Sequence, residues 1–302
     1  MQDVGIIGLG SIGKRHLKSL IKSKNKYSIN KIYIFDLSEE RLSEINPSDT
    51  VIHSNMDEIN QNCETVFICT PTANHTETLE CIIKGNSKNV YLEKPLGADL
   101  KGFRKFYEMS KRGRLNKKII VGYMLRFHPV VSKVKEIINS NKLGRILHAR
   151  AACGFYLPYW HPHEDYRDFY MSSRAQGGGV LLDTSHEIDY LTWLIGSVES
   201  VSGTVLKVSD LDIFADDLSR FSGVTNSGIN FDIHLDLLQF NKERSMQIIF
   251  SKGVLNACLV SGEITISSPE EQLQDKIKCE INFDEIYEHA HNQFFKYANY
   301  SP

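Results

Sequence analysis

The segment Val4-Gly5-Ile6-Ile7-Gly8-Leu9-Gly10-Ser11-Ile12-Gly13 constrains this chain more than any other. A short apolar run ends in glycines spaced G-x-G-x-x-G, and a helical apolar pattern (Ile12, Leu17, Leu20, Ile21) follows at once. Strand, tight turn and helix in that order begin a βαβ unit. Gly8 permits the turn, Gly10 lets the backbone approach a pyrophosphate, and Gly13 lets helix and strand pack closely. A helix starting at Ser11 and Ile12 offers N–H groups and a partial positive charge to phosphate. The next strand, Lys31–Phe35, ends in Asp36, 23 residues after Gly13. A carboxylate there accepts hydrogen bonds from ribose hydroxyls and repels a 2′-phosphate, which favours NAD over NADP. Arg41 lies close enough in sequence to soften that preference, and a turn-capping role for Asp36 is the competing reading.

Strands and helices alternate through the first third of the chain. Thr65–Cys69 reads as a strand ending in Thr70-Pro71-Thr72, Asn74–Lys84 as a helix, and Val90–Leu92 and Lys118–Val121 as further strands. That alternation predicts a doubly wound parallel sheet with helices on both faces. Thr70, Pro71 and His75 are expected along the nicotinamide side of its crevice, although His75 fits a capping or packing role equally well. Beyond the strand at 90–92 comes Glu93-Lys94-Pro95. A lysine past the carboxyl end of a parallel strand faces the crevice where such sheets bind ligands. Lys94 is therefore the candidate proton carrier, with Glu93 orienting the strand end.

The pattern changes near Gly122. Pro129–Ile138 reads as a helix and Arg145–Phe155 as a strand, and an aromatic, polar segment runs from Tyr156 to Gln176. Gly177-Gly178-Gly179 is expected to open one apolar helix, Val180–Ile195, stopped by Gly196. On that helix Asp183 and His186, and His186 and Asp189, would be i,i+3 neighbours. A substrate-facing histidine and a satisfied core histidine are equally compatible with it. From Val198 onward short strands dominate, which predicts a large, mostly antiparallel open sheet, and Asp284–Ala298 reads as a closing helix. The expected organisation is a nucleotide domain over 1–122 and an α+β substrate and oligomerisation domain over 123–302.

With 35 basic and 37 acidic side chains, the formal net charge of -2 offers no basic footprint for nucleic acid or a membrane surface. No signal peptide and no apolar run long enough to span a bilayer is read, and six scattered cysteines without a CxxC pair fit free thiols in the cytoplasm. His161, His163 and Asp165 suggest a metal weakly, because Pro162 stiffens the spacing and no further ligands are evident; no metal is expected.

The ordered pieces GLGSIGKRH, TPTANH, VYLEKPLGADL, VGYMLRFHP, GGGVLLDTSHEIDYLTWLIG and HLDLLQF resemble the glucose-fructose oxidoreductase / inositol dehydrogenase (Gfo/Idh/MocA) family over residues 5 to about 240. The resemblance implies a Rossmann domain followed by an α/β domain with an open sheet. It implies NAD(P)-linked oxidation of CH–OH groups in sugars, sugar nucleotides or cyclitols, with Lys94 as acid/base and His186 and Asp183 as its partners. The family spaces that pair four apart rather than three, so Asp183 is the looser match. Tyr123 and Arg126 are expected at the cleft mouth, where Arg126 binds an anion or forms a structural salt bridge. Tyr156, Trp160 and Arg167 suit a sugar-binding wall. The run WHPHEDYR with SHEIDYL resembles members tied to bacterial surface-carbohydrate synthesis. Homodimers or homotetramers through the C-terminal sheet are also implied. Transient oxidation with recycled NAD, as in epimerases, dehydratases or glycosidases, and a non-catalytic sugar sensor are the other uses of the fold.

Overall fold

The computed structural model describes residues 1–111, 117–160, 163–269 and 273–299. Two compact units emerge, one of residues 1–122 with 287–302 and one of residues 123–286.

The first unit runs β1 (Gln2–Ile7), α1 (Ser11–Lys22), β2 (Ile29–Phe35), α2 (Glu39–Ser43), β3 (Val51–His53), α3 (Met56–Asn62), β4 (Thr65–Ile68), α4 (His75–Lys84), β5 (Asn89–Leu92), α5 (Leu100–Lys111) and β6 (Lys118–Val121). Its six strands are parallel in the order β3-β2-β1-β4-β5-β6. Strands buried on both faces read as continuous apolar runs, and β4 and β5 are buried at every residue. One face packs Ile7, Ile59, Val66, Leu79, Ile82 and Phe106. The other packs Val4, Ile6, Leu17, Leu20, Phe67 and Tyr91 with Phe294 and Phe295 from the far end of the chain.

The second unit contains α6 (Pro129–Ser140), β7 (Ile146–Gly154), α7 (Val180–Asp183), α8 (His186–Ile195), β8 (Val198–Leu206), β9 (Leu218–Thr225), β10 (Asn230–Asp236), β11 (Glu243–Phe250), β12 (Val254–Cys258), β13 (Glu263–Ser268) and β14 (Leu273–Lys278). Its eight strands follow the order β14-β13-β12-β11-β7-β10-β9-β8, antiparallel except between β7 and β10. Val130, Val134, Tyr190, Leu191 and Leu194 join the sheet's inward residues in one core.

Two expectations need correction. The last helix, α9 (Phe283–Asn299), does not close the second domain: from Tyr287 it belongs to the first unit. Its Phe294 and Phe295 complete a core that the N-terminal strands and α1 leave open. The apolar run 180–195 is also not one helix, because α7 ends at Asp183 and α8 begins at His186. Thr184 donates its hydroxyl to the Val180 carbonyl, which closes the first short helix on itself. Asp183 and His186 therefore do not share a helix face.

Buried histidines set an acid limit on stability. His128 is 1% exposed at the start of α6, where Nδ1 accepts from the Val130 N–H. Burial, helped by the Arg244 guanidinium, pushes its pKa from 6.5 down to about 4. His75 and His291 are lowered too, chiefly by burial. Unfolded histidines take up protons as pH falls through about 6.5, whereas these folded ones resist. The neutral-histidine contribution is thus complete above pH 6.5 and lost as pH falls towards 4. Denaturation midpoints should drop across that window, and His128→Asn, which keeps a capping acceptor, should flatten the drop. A flat profile from pH 7 to 4.5 would contradict this.

Candidate active site

The glycine loop has the shape its sequence requires. Gly8 sits at φ +92°, and a Cβ there would lie 2.6 Å from the Cys69 carbonyl oxygen. A Cβ on Gly13 would lie 1.9 Å from the Gly8 oxygen, so only glycine fits at this contact between loop and helix. Gly10 differs, since nothing lies within 4 Å of a Cβ built on it. It is the N-cap of α1 and has no side-chain cap, which leaves the helix start at Ser11 and Ile12 facing open space. Asp36, 9% exposed, accepts from the Leu9 N–H at 2.6 Å and from the Ser38 N–H at 2.8 Å. Those bonds tie the end of β2 to the glycine loop and leave lone pairs on both oxygens for further donors. The Arg41 guanidinium stands 3.7 Å from the same carboxylate.

Across the sheet's carboxyl edge, β4 leads into Thr70-Pro71, whose Thr70 hydroxyl is buried without a hydrogen-bond partner. His75 is 1% exposed, with Nδ1 2.7 Å from the Pro95 carbonyl and Nε2 2.9 Å from the Thr70 carbonyl. Both ring nitrogens face backbone carbonyls, and a neutral ring donates to one of them, so His75 braces the ends of β4 and β5. Glu93 continues the pairing of β5 with β4 through its N–H to the Ile68 carbonyl at 2.9 Å. Its carboxylate also turns into the protein, accepting from the Lys94 N–H at 3.2 Å and standing 2.8 Å from His16 Nε2. These two contacts brace the turn that carries Lys94. Lys94 follows at the carboxyl edge, half-buried, with a cis peptide to Pro95.

This donor set fits a dinucleotide. The open approach over Gly10, the exposed helix start, the ribose-type carboxylate and the orphaned Thr70 hydroxyl are separate features of one sheet edge. Ser11 and Ile12 would hold the pyrophosphate and Asp36 the adenosine ribose. When bound, nicotinamide gives or accepts a hydride. Gly10→Val should leave the melting temperature within about 2 °C, because its side chain meets open space, yet weaken NADH binding at least tenfold by filling the phosphate approach. Titration of NADH fluorescence reads this directly.

In the second unit, Tyr123 packs edge-on against His186 with ring centroids 5.7 Å apart. Burial raises the Tyr123 pKa, keeping its hydroxyl a donor. Arg126 grips Asp189 through Nε at 2.8 Å and Nη2 at 2.6 Å, and its guanidinium lies 5.7 Å from the Trp193 ring. The structural salt bridge is therefore the reading the geometry supports for Arg126, and Asp189 is its partner rather than that of His186. Tyr170 donates its hydroxyl to Asp183. Arg167, on the surface, is held in a fork by Asp165, whose pKa falls to about 2. Trp160 packs against Phe155 at 4.4 Å with Lys242 4.7 Å from its ring, and Tyr156 packs against Phe240 at 4.5 Å. His161 and Pro162 lie outside the described residues. Among the described residues no group of three or more His, Cys, Asp or Glu could hold a metal, and no helix is long and apolar enough to cross a membrane. All six cysteines are free thiols.

Sequence reading missed Asp216, which makes the Gly177–Gly179 loop possible. Its carboxylate accepts from the Leu181 N–H at 2.9 Å and its carbonyl from the Val180 N–H at 2.9 Å, capping α7 from a distant segment. Gly179, at φ +104°, has no room for a Cβ because that carboxylate would lie 2.3 Å away. The buried pair of Glu187 and Arg244, 2.8 Å apart, was also missed.

Residues 2–123 match the family described as an oxidoreductase family with an NAD-binding Rossmann fold, and residues 131–256 match the GFO/IDH/MocA C-terminal domain. The chain belongs to the GFO/IDH/MocA oxidoreductase family. An inositol 2-dehydrogenase of Rhizobium meliloti is 24% identical over 231 residues, covering 73% of this chain and 63% of that enzyme. Several other curated relatives are matched over little more than half their length. A levoglucosan dehydrogenase solved with NADH and levoglucosan superposes with a TM-score of 0.83 at 18% identity, over 98% of this chain and 89% of that one. The WlbA dehydrogenase of Bordetella pertussis, solved with NADH and UDP-GlcNAcA, superposes at 0.72 and 20% identity over 85% and 77%. At those identities the likeness is one of fold. Family membership makes the first unit an NAD-binding Rossmann domain, in keeping with the cradle described above.

Proposed function

We propose that this chain is an NAD-dependent oxidoreductase that moves a hydride between nicotinamide and a hydroxyl-bearing carbon of a sugar, sugar nucleotide or cyclitol. The observation that carries the reading is Lys94, held at the carboxyl edge of the NAD-binding sheet by Glu93 on one side and the His75 clamp on the other. Lys94 takes the hydroxyl proton as the hydride leaves carbon and returns it in the reverse direction. His186, packed on Tyr123, binds and polarises the substrate hydroxyl, and Asp183 with Tyr170 holds a neighbouring one. Tyr156 and Trp160, packed on Phe240 and Phe155, form an aromatic cluster of the kind whose open edges and faces meet sugar rings. The substrates named for the relatives, inositol, levoglucosan and a UDP-sugar, support a polyol or sugar with adjacent hydroxyls.

The strand β8, exposed at every residue with Val201, Val205 and Leu206 open to solvent, supports pairing of two copies as a dimer or tetramer. A monomeric mass at micromolar concentration would exclude this.

The activity is tested by following absorbance at 340 nm with NAD and a panel of myo-inositol, levoglucosan, glucose 6-phosphate and UDP-N-acetylglucosamine. Steady NADH formation with at least one member is expected. Tight NADH binding without turnover of any member, in both directions, would remove the dehydrogenase reading.

A further inference from the structure

Beneath Lys94 lies a chain of buried polar groups that the hydride chemistry does not use. His16, on α1, is fully buried, with Nε2 2.8 Å from Glu93 Oε1 and Nδ1 2.7 Å from His291 Nε2. His291, on α9 and also fully buried, has its Nδ1 3.1 Å from the Ser19 hydroxyl. Glu93 in turn accepts from the Lys94 N–H through its other oxygen. Phe67, Tyr91 and Tyr287 pack around the His16 ring, with centroids 5.2 to 5.5 Å away. Arg15 lies over Tyr287, and the Tyr91 and Tyr287 hydroxyls and the partly buried Cys69 thiol, all with pKa values raised chiefly by burial, are the titratable groups nearby.

Hydrogen-bond chemistry fixes the end of this chain at Glu93. A carboxylate only accepts, so His16 Nε2 carries a proton and donates to Glu93. His16 Nδ1 and His291 Nε2 face each other and share one proton in their hydrogen bond, and His291 Nδ1 pairs with the Ser19 hydroxyl. Both nitrogens of both rings thus have a partner. Burial and the neighbouring His16 push His291 well below its ordinary pKa, in keeping with a neutral ring. Such an arrangement is costly to bury unless complete, because one missing partner orphans the next group.

The chain joins three distant segments. α1 begins at the phosphate-binding loop, β5 ends at Lys94, and α9 comes from the far end of the sequence. We propose that Ser19, His291, His16 and Glu93 form a positioning relay that fixes the Lys94 turn against the helix receiving the dinucleotide. The relay makes the C-terminal helix a functional part of the nucleotide domain. This rests on the reading of Lys94 as the proton carrier. None of the four is a catalytic residue, since each acts through the Lys94 backbone.

The experiment measures how fast acetic anhydride acetylates Lys94 relative to Lys26, by peptide mass spectrometry, alongside NADH affinity and turnover of the best substrate in the panel. Glu93→Gln keeps the side-chain shape but loses the second acceptor, and His16→Leu cuts the relay. Both should raise the relative labelling of Lys94 at least threefold and lower kcat tenfold or more, with NADH affinity within threefold of wild type. His16→Gln, whose amide can still donate to Glu93, should restore both readouts to within threefold. A general structural role would move all lysines together, change NADH affinity with kcat, and give no rescue. Should His16→Leu not fold, the isosteric Glu93→Gln decides alone. Unchanged Lys94 labelling in Glu93→Gln, unchanged kcat, or absence of rescue by His16→Gln where His16→Leu folds, overturns the relay. A Lys94→Met control separates the two ideas: if it keeps wild-type turnover, the reading of Lys94 fails whatever the labelling shows.

Discussion

Lys94→Met should reduce turnover by roughly 10²–10⁴-fold, the usual share of a positioned general acid or base, while NADH still binds with near-native affinity. Methionine keeps the length and apolar stem of the side chain but cannot carry a proton. The backbone contacts that shape the turn come from Glu93 and His75 and do not need the ammonium group. The loss should therefore fall on kcat, with little change in the melting temperature. Added methylamine should recover part of the activity if the missing function is proton transfer. Turnover within threefold of wild type would remove Lys94 from the chemistry. Loss of NADH affinity in parallel with turnover would instead make it a cofactor ligand.

The largest expected effect on stability comes from Glu187→Ala. Glu187 follows His186 at the start of α8, is fully buried, and stands 2.8 Å from Arg244 on β11. Burial raises its pKa, and the Arg244 charge opposes that rise. Removing the carboxylate leaves a guanidinium that is largely withdrawn from water with no counter-charge. Breaking one half of a buried pair typically costs about 3–5 kcal/mol. For a unit of this size that lowers the melting temperature by roughly 6–20 °C. Joint replacement by Glu187→Met and Arg244→Leu should regain most of the loss, because two apolar side chains of similar volume need no partner. A single variant as stable as wild type would show that water reaches the arginine. Since the pair anchors α8 to the sheet beside His186, the single variant should also lose substrate affinity before it loses NADH affinity.

What could be read in the sequence follows from how local the causes are. The glycine loop, Asp36 at the next strand end and Lys94 beyond β5 each depend on neighbours within a few residues, and the parallel sheet follows from the alternation around them. The break between α7 and α8 had a local trace in the polar run Asp183-Thr184-Ser185-His186-Glu187, but the cap on the first piece comes from the distant Asp216. The same distance hid the partners of Arg126 and Asp189. His16 did carry a signal: it shares the buried side of α1 with Gly13, Leu17 and Leu20, where a polar residue needs a partner. Nothing nearby says that the partner is a histidine 275 residues away.

The placement of α9 has a consequence for how the chain is made. A ribosome delivers the six parallel strands first, yet the core they need is finished by Phe294 and Phe295, which emerge only after the whole second unit. The second unit is thus synthesised in full as an insertion within the first and can fold while its host waits incomplete. During that interval Leu17, Leu20 and Phe67 on one face of the nascent sheet lack their cover. The nucleotide-binding domain therefore cannot complete its core until the second unit has been made.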